Sequence, residues 1–311
     1  MKIAVLGAGT IGASWASLFL AAGHDVHVYD TSDHTEAFVT DFIRRAWPFL
    51  QALKLAPRDG PRQANFHGQP ESAASQADFV QESVPERLDM KLGLFRRIEP
   101  HLKREAIVAS STSGLLLSDL QHGFTNPSRI ILGHPFNPPH LIPLVELLGN
   151  ARTGHEVLDK AQSFYESCGK ATIRIQREVP GHVANRLQAA LWREAISLVA
   201  QGVASVEDVD KAVSSGPGLR WAVMGPHMIF SLASGGHGME GFVERYGSAI
   251  QHWWTTMGDV ILSQETRKIL AEGVKAEESG RSFDQLTAER DQKLIAILRA
   301  RGFLGKSYPT K

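Results

Sequence analysis

A glutamate stands inside the apolar run "PLVELL", and a histidine closes the apolar run "RIILGH" twelve residues before it. A carboxylate in a buried strand loses its hydration and needs a partner in return. Glu146 therefore must meet a donor. Nearer the N-terminus, Gly7, Gly9 and Gly12 form G-x-G-x-x-G, and Asp30 follows Gly7 by 23 residues. Glycines so spaced let the backbone approach a pyrophosphate at a helix N-terminus, where unpaired N–H groups and the dipole favour negative charge. An acid at that offset holds the adenosine ribose hydroxyls. A carboxylate there repels a 2′-phosphate, and Thr31 and Ser32 bring no arginine to receive one, so the expected cofactor is NAD.

The elements that must position these residues are legible as patterns. "KIAVLGAG" reads as a short apolar strand, "TIGASWASLFLAAG" as a helix stopped by Gly23, and "HDVHVYD" as a second strand that ends on Asp30. "EAFVTDFIRRAWPFLQAL" predicts an amphipathic helix interrupted near Pro48, followed by the turn-rich connection "APRDGPRQANFHGQPES". Short apolar runs then recur in "DFVQES", "AIVASS", "RIILGH" and "PLVELL", with a helical stretch "RLDMKLGLFRRIEPHL" between the first two. Buried strands alternating with helices imply an α/β fold, a doubly wound Rossmann-type parallel sheet. After "ATIRI" the pattern turns helical. Pro180 is placed to open a helix whose apolar stripe runs Val183, Leu187, Leu191, Ala195, Leu198, Val199, and Trp253 and Trp254 read as core residues. The expected division is an NAD-binding domain over 1–176 and an all-helical substrate and dimerisation domain over 177–311.

Bulk composition narrows the function. The 311 residues carry 33 Lys+Arg against 33 Asp+Glu, a balance that leaves no electrostatic footprint for nucleic acid or an acidic membrane surface. A small-molecule substrate is expected instead. No apolar stretch is long enough for a bilayer, one cysteine excludes an internal disulfide framework, and no metal-spaced His/Cys cluster occurs. The chain reads as cytoplasmic, with no metal, membrane or nucleic-acid partner.

The N-terminal fingerprint, "QESVPERLDMK", "SSTSGLL", "GHPFNPPHLIPLVEL" and "PGHVANRL" together resemble the L-3-hydroxyacyl-CoA dehydrogenase superfamily. They look most like its branch acting on free hydroxy acids, L-gulonate 3-dehydrogenase with lambda-crystallin and L-carnitine dehydrogenase, which "GLRWAVMGP" also resembles. The resemblance implies that His134 is the catalytic base and Glu146 its partner, so that a carboxylate on one imidazole nitrogen raises the basicity of the other. It puts Ser113 and Asn185 beside the substrate oxygen, and Glu86 and Lys91 near the nicotinamide. It further implies L-configured 3-hydroxy acids, hydride transfer to NAD and a homodimer.

Acyl-CoA members of the superfamily carry a longer, basic hairpin after the second strand. Between Thr31 and Asp78 this chain has Arg44, Arg45, Lys54, Arg58 and Arg62 against six acids, which is no phosphate clamp. A free acid is therefore expected, with an L-3-hydroxyacyl-CoA as the alternative substrate and an NADH-binding, crystallin-like structural protein as the alternative of another class. Arg220, flanked by apolar residues and Trp221, is the candidate anchor for a substrate carboxylate. His140 stands where the carnitine branch tends to carry an aromatic residue, which argues against an aromatic box for a quaternary ammonium.

Overall fold

A computed structural model describes residues 1–304; residues 305–311, the end of the expected second domain, lie outside the described residues. The chain divides into two compact units, Met1–Asn185 with the segment from Lys293 on, and Arg186–Gln292.

The first unit is built on β1 (Lys2–Leu6), α1 (Thr10–Ala21), β2 (Asp25–Tyr29), α2 (Thr35–Ala52), β3 (Asn65–Phe66), α3 (Pro70–Ala74), β4 (Phe79–Glu82), α4 (Leu88–Ile98), β5 (Ile107–Ser110), α5 (Leu117–Leu120), β6 (Ile130–Pro135), β7 (Leu144–Leu148), α6 (Val157–Ser167) and β8 (Ala171–Arg174). The strands form one eight-stranded sheet in the order β3-β2-β1-β4-β5-β6-β7-β8. Every neighbouring pair is parallel except β6–β7, which is antiparallel.

Because side chains alternate across a strand, each apolar run serves two cores. Ile3 and Val5 of β1 point into a cluster with Trp15, Phe19, Trp47 and Tyr165 from α1, α2 and α6. Ala4 and Leu6 point into the other, with Leu94, Phe95 and Leu117 from α4 and α5. The sheet is doubly wound, as the alternation predicts.

Three local expectations are corrected. Pro48 lies inside α2 without ending it: Val39, Ile43, Ala46, Trp47 and Leu50 are buried on both sides of it, so packing carries the helix through the missing N–H. The turn-rich connection holds a two-residue strand, β3, paired to His27 and Val28. The helix expected at Pro180 begins four residues later, as α7 (Ala184–Ala200).

The second unit continues with α8 (Val206–Ser215), α9 (Pro217–Trp221), α10 (Pro226–Leu232), α11 (Gly238–Thr256), α12 (Gln264–Glu278) and α13 (Phe283–Ala300), the last of which ends in the first unit. The apolar stripe of α7 is only partly covered among the described residues: Val183, Leu187 and Leu191 are exposed, Ala195, Leu198 and Val199 are half-buried, and Ile196 and Ser197 are the helix's buried residues. Trp253 and Trp254, expected in the core, are 61% and 64% exposed. Helical periodicity tells which face is apolar, not what covers it.

Candidate active site

The three fingerprint glycines solve three different problems. Gly7 adopts φ +89°, and a Cβ on it would lie 2.5 Å from the backbone of Ser83 and Val84; a Cβ on Gly12 would lie within 2 Å of the Gly7 carbonyl oxygen. Gly9, the N-cap of α1, faces open space, with no side chain capping the helix's first N–H groups. Asp30 fixes the loop beside it, accepting from the Ala8 N–H at 2.6 Å and the Ser32 N–H at 3.1 Å. Its carboxylate borders a cleft of about 450 Å³, with Tyr29, Ser32, Glu36, Phe66 and His67 on the walls and no arginine or lysine among its lining residues. An uncapped helix start, a glycine with room before it and an acid without a cation fit a dinucleotide that carries free ribose hydroxyls.

Beyond the glycine turn, two buried charges organise the Ser113 loop. Lys91 is 1% exposed, its ammonium 2.6 Å from Glu82 Oε1, 3.1 Å from the Val84 carbonyl and 3.6 Å from Glu86 Oε2. Ser110 donates to the other oxygen of Glu82. Glu86 Oε1 then accepts from the Thr112 hydroxyl and from the N–H groups of Ser113 and Gly114, each of the latter at 2.8 Å. Burial pushes the Glu86 carboxyl up, but the Thr112 hydroxyl, the Gly114 N–H and then the Lys91 ammonium outweigh it, and the net lies below the usual glutamate value. Lys91 thus spends its donors on protein groups, and Glu86 holds the loop that presents Ser113, which is exposed.

His134 and Glu146 are directly opposite each other in the antiparallel β6–β7 pair. Facing residues in such a pair put their side chains on the same side of the sheet. Nδ1 of His134 lies 2.8 Å from Glu146 Oε2, and Glu146 Oε1 accepts from the N–H groups of Val183 and Ala184, both at 3.0 Å, at the start of α7. A carboxylate only accepts, so Nδ1 carries the hydrogen and the Nε2 lone pair of a neutral ring faces away from the carboxylate. Glu146 is fully buried; burial raises its carboxyl, but the bonds from His134, Ala184 and Val183 bring it below its usual value. Such a pair can take a proton at Nε2 and stabilise the resulting imidazolium from behind.

The remaining expected residues fall as follows. Asn185 comes directly after Ala184, in the first turn of α7 and half-buried. Arg220 is exposed on α9, in the helical unit. His140 does not face His134: it is buried, its Nδ1 2.8 Å from the Ser14 hydroxyl and its ring edge-on to Phe42. Phe136 packs edge-on against His134, with ring centroids 5.1 Å apart.

Glu82, Thr112 and His182 were missed. Glu82 sits in the apolar run "DFVQES", so the rule that demanded a partner for Glu146 would have found it. Thr112 and His182 leave no such mark, since a threonine in a turn and a histidine before a helix are ordinary.

Residues 2–179 match the NAD-binding domain of 3-hydroxyacyl-CoA dehydrogenase and residues 181–281 match its C-terminal domain. The chain belongs to the 3-hydroxyacyl-CoA dehydrogenase family, an NAD-dependent oxidoreductase acting on a CH–OH group. Within it, an L-carnitine dehydrogenase of Streptomyces coelicolor is 42% identical over 304 residues, covering 98% of this chain and 96% of that protein. One of Bacillus cereus is 41% identical over 308 residues, covering 99% and 94%. Among solved structures, 5-formyl-3-hydroxy-2-methylpyridine 4-carboxylic acid 5-dehydrogenase, an NAD+-dependent dismutase, is similar with a TM-score of 0.83 at 30% identity, over 97% of this chain and 98% of that one.

Proposed function

We propose that this protein oxidises the 3-hydroxyl of L-carnitine, or of a closely similar small L-3-hydroxy acid, to the 3-oxo acid. The observation that carries the reading is the buried His134–Glu146 pair at 2.8 Å, in a chain about 40% identical to L-carnitine dehydrogenases over nearly its whole length. NAD, when bound, supplies the hydride acceptor, held at the Gly7–Gly12 turn and by Asp30, with Glu86 and Lys91 shaping the wall near the reacting end. Nε2 of His134 takes the hydroxyl proton, and Glu146 stays ionised beside the imidazolium that forms. Ser113 and Asn185 hold the substrate oxygen by hydrogen bonds without competing as bases.

In this reading Arg220 anchors the substrate carboxylate with its guanidinium fork. Arg220→Met is expected to raise KM for the acid about tenfold or more while NAD affinity stays nearly constant; equal change in both, or none, rules out the anchor. The exposed Trp192, Trp253 and Trp254 and their apolar neighbours support a homodimer built on the helical unit. No helix among the described residues is long and apolar enough to cross a membrane, in keeping with a cytoplasmic enzyme.

The test is NADH absorbance with NAD and, in parallel, L-carnitine, L-gulonate, L-3-hydroxybutyrate and L-3-hydroxybutyryl-CoA. Turnover of L-carnitine above the other acids is the expected result. Preference for L-gulonate moves the assignment to that branch, turnover of the thioester alone overturns the free-acid reading, and tight NADH binding without turnover of any marks a structural protein.

A further inference from the structure

His182 lies against the base and has no part in the steps above. Its ring centroid is 5.1 Å from that of His134, at a tilt of 55°, and the residue is 2% exposed. Nε2 lies 3.1 Å from the Thr112 carbonyl oxygen. A carbonyl only accepts, so Nε2 carries the hydrogen and, in the neutral ring, the lone pair sits on Nδ1. That Nδ1 is buried with no hydrogen-bond partner among the described residues.

The backbone is bent to achieve this. His182 has φ +53°, directly after Gly181 at +78°. A side chain other than glycine is strained in the left-handed region, and such strain persists where the surroundings over-determine it. The same bend leads into Val183 and Ala184, whose N–H groups reach Glu146. One residue therefore touches three parts of the site: the Thr112–Ser113 loop through its donor, the base through its ring, and the carboxylate through the chain that follows.

We propose that His182 is a positioning residue that works only as the neutral Nε2–H imidazole, setting the Ser113 loop against His134. A second proton on its Nδ1 would put a buried, unpartnered cation against the ring that must itself become cationic when it takes the substrate proton. The charged and titratable groups facing it are His134 on β6, Glu146 on β7 and Glu86 in the turn before α4. Burial, the largest influence, pushes its imidazolium down; the Thr112 carbonyl opposes this, His134 adds to it, and the two carboxylates oppose it. The net lies below the usual histidine value.

This rests on reading His134 as the base, and the tests separate the two. His182→Gln keeps an N–H donor for the Thr112 carbonyl and cannot be protonated, while His182→Phe keeps a ring and loses the donor. The Gln variant is expected within about threefold of the native kcat, and the Phe variant about tenfold or more below it, the worth of one buried hydrogen bond. NADH affinity should stay within about threefold in both. Histidine 15N spectra, assigned by the signal lost in His182→Gln, should show His182 with hydrogen on Nε2 alone across the whole acid limb of kcat/KM. A Phe variant with native kcat, a Gln variant as slow as the Phe variant, or a His182 that takes its second proton in step with the fall in rate would each overturn the proposal. Near-native turnover in His134→Gln would instead overturn the base.

Discussion

Two glutamates interrupt apolar strands in this sheet, Glu82 at the end of β4 and Glu146 in β7, and both are fully buried. Glu82 is answered by an ammonium at 2.6 Å, a serine hydroxyl and the Val84 N–H at 2.7 Å; Glu146 is answered by an imidazole at 2.8 Å and two backbone N–H groups. The burial problem is the same and the outcome is not. An ammonium offers donors only, and Lys91 gives its hydrogen bonds to Glu82 and to the Val84 carbonyl, so the pair braces the fold. An imidazole that gives one N–H to a carboxylate keeps a lone pair on the opposite nitrogen, and that side is free for chemistry. The partner decides whether a buried carboxylate braces the fold or drives a base.

The largest effect should come from removing that lone pair. His134→Gln is expected to lower kcat by about two to four orders of magnitude, the range general-base catalysis supplies, with NADH binding by fluorescence unchanged within a few-fold. Near-full turnover would erase the contrast between the two glutamates. Lys91→Met should act on stability first: it leaves the buried Glu82 charge without its counter-ion, at a cost of about 3–5 kcal/mol in urea unfolding. Replacing both, as Glu82→Leu with Lys91→Met, should recover part of that loss, since no charge is then left unpaired, although the Ser110 hydroxyl and the Val84 N–H lose their acceptor. If Lys91→Met is as stable as the native chain, Glu82 is not held as the geometry implies.

What could be read from the sequence divides along similar lines. The glycine turn, Asp30 and the His134–Glu146 pair stood out because their residue types are costly where they occur and so announce a purpose. The antiparallel direction of β7 did not, because a strand buried on both faces has the same composition whichever way it runs. His182 was invisible for another reason: its importance lies in a left-handed φ and an unpartnered nitrogen, which are properties of the fold and not of a histidine. The N-terminal half of the α7 stripe failed in the opposite sense, being periodic enough to promise a core while Leu187 and Leu191 stay exposed among the described residues.

The smallest expected effect distinguishes the Glu146 pair by its response to acid. Hydrogen bonds from His134, Ala184 and Val183 hold the Glu146 carboxyl below the ordinary glutamate value of 4.5 although burial alone would raise it. As pH falls below about 4.5, an unfolded chain takes up this proton before the folded one does. The stabilisation from Glu146 is therefore complete above that pH and is lost as the pH drops through the folded value. Glu86, lowered by Thr112, Gly114 and Lys91, contributes with the same sign. Urea midpoints from about pH 6 down to about pH 3 should decline less steeply in Glu146→Gln than in the native protein, because the variant has lost one of the groups that couples folding to protons. Parallel declines would mean that the carboxyl is not held ionised by the groups around it, and with that the electrostatic support assigned to His134 would go.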